Sequence, residues 1–194
     1  MISLTKVLVI GDLAVDIVGN HAGRIVRGRN ILLERARIVA AGVAGNMAWY
    51  LRQLGNEVEV AGTVGDDSWG ILLREQLEEA GVGTELIQTS RTPTGFFVVL
   101  VDKRGERTMI GSRSANTELK IRTEDLKNVR PRWIHISGYS LLNRNYGEIA
   151  RTLRRSSREL VVPVSIDLEG ISAERRRMDL QGMRVLCNEE EFHD

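Results

Sequence analysis

The sequence predicts an α/β fold in which helices cover a mostly parallel central sheet, with a smaller antiparallel unit set beside it. Three observations carry this expectation. From Lys6 to Ile10 the V-L-V-I run is apolar without alternation, as a strand buried on both faces should be. Short apolar runs of that kind then alternate with helical patterns, the rhythm of βαβ units. Two stretches, about 17–40 and 94–111, break the rhythm with alternating or β-branched segments and turn signals, and read as hairpin material able to pair into a small sheet.

The first strand runs into G-D-L-A-V-D, which puts Asp16 just beyond its C-terminal end, where open α/β sheets bind ligands. After the first irregular stretch, A-G-V-A-G-N at Ala41 to Asn46 opens a helix that continues through Met47 to Leu54 and closes at Gly55. A strand follows near Val58 to Ala61. Trp69 to Ala80 reads as the next helix, with Asp66, Asp67 and Ser68 available to cap it and Gly81 to end it. In the second irregular stretch, F-F-V-V-L-V and R-T-M-I flank a turn at Asp102 to Gly105. Further strands are expected at Trp133 to Ser137, Val161 to Ile166 and Arg184 to Cys187, separated by helices at Asn145 to Ser157 and Ala173 to Asp179.

The 194 residues suffice for one well-cored domain, and 42% hydrophobic with 27% charged residues is the composition of a soluble globular protein. A net charge of +1 gives no pull toward nucleic acid or an anionic membrane surface. The single cysteine, Cys187, has no intramolecular disulfide partner, and no apolar run approaches the roughly 20 residues that span a bilayer. A cytoplasmic protein is the expectation. His21, His135 and His193 are scattered, which gives a histidine metal site no support. A dinucleotide-binding oxidoreductase is disfavoured, because G-x-G-x-x-G is absent from the first turn.

Two motifs carry candidate chemistry. Gly42, Ala44 and Gly45 are small enough for backbone to approach a ligand closely, and Asn46 offers a donor and an acceptor beside the free amides of a helix N-terminus. Asp16 presents a carboxylate that accepts hydrogen bonds from two hydroxyls, which suits a sugar. The structural alternatives are a helix start without a ligand and an acidic residue capping a turn. Gly95, Phe97 and Arg107 read as solvated hairpin face, with a substrate contact as the alternative, and Arg175 to Arg177 as a solvated helix face.

The Gly and Asn positions, the small Ala48, and the intervals to Gly55 and Gly65 resemble the first signature of the ribokinase-like (PfkB-type) carbohydrate kinases. That resemblance implies a single Rossmann-like three-layer domain over 1–194, with a small β lid inserted at about 17–40 and 94–111. It implies that Asp16, Gly42, Val43, Gly45 and Asn46 hold a sugar or sugar-like substrate. It adds Asn116, in the S-A-N turn by which the lid returns to the core, as a further substrate contact. Asn188 and Glu191 reproduce the N-x-x-E arrangement that in this family organises ATP phosphates and Mg2+, with Glu191 on the metal side through water. Ala14 stands where ribokinase has a sugar-binding asparagine, which argues against ribose. Arg24, Arg27, Arg29, Arg107 and Arg113 around the lid leave a phosphorylated or acidic sugar open, so sugar, phosphosugar and nucleoside all remain as acceptors.

The family continues beyond N-x-x-E to a nucleotide-binding segment whose G-A-G-D-type loop supplies an anion hole and the general base, and no such string occurs in this sequence. The expectation is therefore a C-terminally truncated ribokinase-like chain without a catalytic residue of its own, holding the sugar-binding part of an ATP-dependent carbohydrate kinase. A non-catalytic sugar-binding or dimerising module, or half of a split protein, is the alternative. A homodimer through the lid, or an association covering the truncated face, is expected with either.

Overall fold

The computed structural model describes residues 5–21, 25–168 and 183–186. Among these, six parallel strands form the central sheet in the order β10 (Arg184–Leu186), β9 (Val164–Asp167), β8 (Trp133–Ser137), β1 (Lys6–Ile10), β4 (Glu57–Gly65) and β5 (Gly83–Ser90). β1 lies at the centre and serves two cores. Leu8 and Ile10 pack with Leu126, Ile149 and Leu153 of α3 (Thr123–Val129) and α4 (Tyr146–Leu160). Val7 and Val9 pack with Ala44, Ala48, Leu73 and Leu77 of α1 (Val43–Gln53) and α2 (Ser68–Glu79) on the other face. Burial on both faces is the reason the strand shows no polar alternation.

A second sheet has the order β3 (Glu34–Ala41), β2 (Ala14–Asn20), β6 (Gly95–Val101) and β7 (Arg107–Ser112). Its inner pair, β2 and β6, is parallel, and each outer strand is antiparallel to its neighbour. The hairpin turn between β6 and β7 is closed by Asp102, whose carboxylate accepts from the amides of Arg104 and Glu106. This is the expected small sheet, but β2 begins before 17, and β3 and β7 end one residue past 40 and 111. β2 starts at Ala14, so Asp16 lies inside a strand of the lid and not in a loop after β1.

Several other boundaries differ for physical reasons. α1 begins at Val43, within the expected Ala41 to Asn46 opening, because Gly42 takes a positive φ of 83° and turns the chain directly into the helix, and it ends at Gln53. α4 runs to Leu160 and is closed by Val161 in the left-handed region, so the strand expected from Val161 starts at Val164. β5 and α3 were not anticipated: β5 is an edge strand of mixed polarity, and α3 is a short helix with little periodicity. The glycine stops hold. Gly55 and Gly81 follow α1 and α2 at φ 86° and 77°, and the amides just after them, Asn56 and Val82, bond back to Leu51 and Leu77. The helix expected at Ala173 to Asp179 lies outside the described residues.

Candidate functional site

The site is built where the lid is rooted in the central sheet, at the C-terminal ends of β1 and β8. In paired strands, residues directly opposite one another share a face. The register therefore puts Val39, Asp16, Phe97 and Gly111 in one row across the lid, with Ala41, Ala14 and Gly95 in a second row of the same face, nearer the root. The root row is all small residues and all three are buried, with Asn116 Nδ2 and the Arg113 carbonyl packed against Gly95. Asp16 is half-buried, and burial pushes its carboxyl above the ordinary aspartate range, with Arg107 pulling it partly back.

Gly42 fits the backbone of the chain entering the lid. A Cβ there would lie 2.4 Å from the Asp12 carbonyl oxygen and 2.7 Å from the Ala14 nitrogen. The Ala44 amide donates to that same Asp12 oxygen at 3.1 Å, so one of the helix-start amides expected to be free is already engaged. Gly45 is buried against Leu13, Val43 is half-buried, and Asn46 is exposed one turn along the helix. Asn46 borders a cleft of about 210 Å³ that it shares with Gly45, Trp49, Tyr50 and Gln76.

A polar network that the sequence reading did not anticipate fixes the root. Arg113, the residue after β7, grips Asp12 with both arms, Nε to Oδ2 at 2.6 Å and Nη2 to Oδ1 at 2.8 Å. Nη2 also donates to Asn143 Oδ1 at 3.0 Å, and Asn143 Nδ2 donates to the Asn116 carbonyl at 3.1 Å. Asn116, only 1% exposed, spends its amide on Leu13: it accepts from the Leu13 amide and donates to the Leu13 carbonyl, each at 2.8 Å. Asn116 thus clamps the lid entry to the lid exit. Asp12 and Arg113 stand 101 positions apart, so no local pattern in the sequence joins them. The only signal was the acidic residue following Gly11.

Of the remaining candidates, Asp67 caps α2 as expected, accepting from the Gly70 amide at 2.9 Å. It also accepts from the Thr94 amide and hydroxyl, at 2.8 and 2.6 Å, tying α2 to the start of β6. Burial alone would raise this carboxyl, but the bonds from Thr94, Gly70 and Trp69 outweigh it and hold it below the usual range. Asn188 and Glu191, the residues assigned to phosphate and Mg2+, lie outside the described residues. Among the described residues no group of three or more His, Cys, Asp and Glu side chains is placed to hold a metal ion, and no helix is long and apolar enough to cross a membrane.

Comparison with known proteins bears on this geometry. The profile of the pfkB family carbohydrate kinases matches residues 4–193. A fructokinase of Vibrio alginolyticus is 27% identical over 142 residues, 72% of this chain and 43% of the relative. An ATP-dependent ribose-1-phosphate kinase of Halopiger xanaduensis is 30% identical over 138 residues, 70% of this chain and 44% of the relative. The chain thus matches less than half the length of these curated relatives. The structure of Arabidopsis thaliana ribokinase complexed with ribose and ATP superposes with a TM-score of 0.76 at 23% identity, covering 97% of this chain and 61% of that one. The 2-dehydro-3-deoxygluconokinase of Thermotoga maritima gives 0.81 at 19% identity, with 97% and 61% covered. Both show the same fold.

Proposed function

Because the chain belongs to the pfkB family of carbohydrate kinases, we propose that the protein it represents transfers a phosphoryl group from ATP to a sugar hydroxyl, and that the described residues form the sugar-binding part. The observation that carries this reading is the half-buried Asp16 in the lid, one row out from the small residues Ala14, Ala41 and Gly95 of the lid root, with Gly42 and the start of α1 against that root. In this role Asp16 accepts from substrate hydroxyls, and Gly42, Val43, Gly45 and Asn46 supply main-chain approach and one amide side chain. ATP and Mg2+ are part of the proposal, resting on the N-x-x-E string at Asn188 and Glu191. Phosphoryl transfer depends on positioning and charge stabilisation, so holding the acceptor in one orientation is a substantial part of the catalytic task.

The lid also offers a surface for self-association. Ile38, Ile17, Val98 and Ile110 form one row across all four strands, on the face opposite Asp16, and the outer two are 55% and 59% exposed. A homodimer through this row is part of the proposal. Ligand-observed NMR with a panel of pentoses and hexoses tests the sugar-binding reading. At least one sugar should show contact with the chain, and the signal should vanish in Asp16→Ala; an unchanged signal in that variant sinks it.

A further inference from the structure

A second polar cleft, of about 570 Å³, lies at the C-terminal ends of β4 and β5, bordered by the turn Ser114–Glu118 and the start of α4. It shares no residue with Asp16, Gly42, Val43, Gly45, Asn46 or Asn116. Two of its lining side chains carry polar atoms that the fold leaves unsatisfied. Thr63, on β4, is 3% exposed, and its hydroxyl has no hydrogen-bond partner among the described residues. Asn145, at the N-cap of α4, makes no bond to the helix amides; its Nδ2 donates to the Leu119 carbonyl at 2.8 Å, and its Oδ1 is buried without a partner among the described residues. A buried polar atom without a partner costs the fold stability, and two in one cleft point to a ligand that supplies the partners.

The chemistry of the two atoms restricts that ligand. Asn145 Oδ1 only accepts, so it takes a donor, whereas the Thr63 hydroxyl both donates and accepts. One ligand hydroxyl serves both. The border of the cleft adds charge: Arg91, Lys120 and Arg144 stand against only two carboxylates, Glu118 and Glu148. Glu118 is already engaged, accepting from the hydroxyls of Ser90, at 2.7 Å, and Thr92. Arg91 and Arg144 pair with no carboxylate among the described residues. The N-terminus of α4, a helix of 15 residues, lies at the same place and favours a negative charge.

We propose that this cleft is a second ligand site, separate from that of the sugar acceptor, and that it takes a small hydroxylated anion, a hydroxy acid or a polyol phosphate. The ligand hydroxyl bridges Thr63 and Asn145, and the anionic group meets Arg144 and Lys120 at the N-terminus of α4. A neutral polyol satisfies the two oxygens but leaves the cations unused. Sulfate does the reverse, since it has no hydrogen to give Asn145 Oδ1. The volume is that of a small-molecule pocket. The inference stands whether or not Asp16 binds a sugar.

Calorimetric titration of the 194-residue chain with glycerol 3-phosphate, D-glycerate, glycerol and sodium sulfate tests it. Wild type is compared with Thr63→Val, the double variant Lys120→Gln with Arg144→Gln, and Asp16→Ala, and thermal unfolding of each is measured alongside. Wild type should bind at least one of the two hydroxylated anions saturably, about tenfold or more tightly than glycerol or sulfate. Thr63→Val keeps the shape and removes the hydroxyl, so it should weaken that anion by about tenfold. Without ligand it should melt no lower than wild type, because it deletes an unsatisfied buried group, whereas a purely structural Thr63 would lower the melting temperature. The double variant should weaken the anion by about tenfold and flatten its salt dependence. Asp16→Ala should leave the anion's affinity unchanged. If Thr63→Val fails to fold, the double variant and the comparison with glycerol and sulfate decide. Binding no tighter than that of sulfate, or unaffected by both sets of substitutions, overturns the inference, and so does loss in Asp16→Ala, which would assign the anion to the acceptor site. No binding of any probe also overturns it and leaves the sugar site standing on its own test with neutral sugars.

Discussion

Asp16 is under two opposing demands. A sugar-binding carboxylate is most useful when ionised, yet burial raises its pKa and Arg107 offsets this only in part. Since the folded pKa lies above the unfolded one, the folded state binds more protons, and ionising Asp16 costs stability as pH rises between the two values. Asp16→Asn should therefore raise the melting temperature near neutral pH while abolishing sugar binding; a lower melting temperature would contradict the account. Sugar affinity should also fall on acidification at a pH above the titration range of an ordinary aspartate. Asp67 has the opposite sign. Its depressed pKa contributes stability that is present above the unfolded value and lost as pH falls through the folded one, and Asp67→Ala should cost about 1–2 kcal/mol in denaturant unfolding at neutral pH. His135 behaves similarly at higher pH. Burial lowers its pKa against a partial pull from Asp167, so its neutral form, bonded to Ser165 Oγ at 3.0 Å, favours the fold until acidification below the normal histidine range charges it. The helix-capping role of Asp67 was legible because a cap is local. The Asp12–Arg113 pair was not, because only the tertiary fold joins positions that far apart.

At the scale of elements, the segment from Gly42 through α1 to Gly55 is where sequence and structure agree most closely. Positive φ and backbone proximity demand glycine at 42 whether or not a ligand binds. Gly42→Ala should destabilise the chain by about 2–3 kcal/mol, from the strained φ and the collision with Asp12 and Ala14. A variant as stable as wild type by chemical denaturation would mean that the lid root is far more pliable than its hydrogen bonds indicate. The strands of the central sheet were legible where an apolar run is unbroken, as at Val7–Ile10, and where Trp133 to Ser137 alternates Ile with buried polar residues. β5 escaped because an edge strand with Thr84, Glu85 and Gln88 carries no such run. Asp16 does lie beyond the end of β1, but its strand was not foreseen, because Gly11 to Leu13 make only a short break before β2 begins at Ala14 in a different sheet.

For the molecule as a whole, the two sheets divide the work. The central sheet, cored on both faces, is the rigid base, and the lid is joined to it at Gly11–Ala14, Ala41–Gly42 and Arg113–Asn116, which the polar network draws together. The lid face opposite Asp16 leaves Ile38 and Ile110 largely exposed. If that row pairs between copies, calibrated sizing should give a dimer, and the double substitution Ile38→Lys with Ile110→Lys should convert it to a monomer with little change in sugar affinity. A wild-type monomer at all concentrations would remove the lid dimer from the account.

The central claim is that the lid of this chain presents a sugar site organised by Asp16. Its most direct test is isothermal titration of one neutral sugar into wild type and Asp16→Ala side by side, with and without Mg-ATP. The account predicts saturable binding to wild type that is lost in the variant while its melting temperature is maintained or raised. Equal binding by both proteins, or binding to neither, would contradict it.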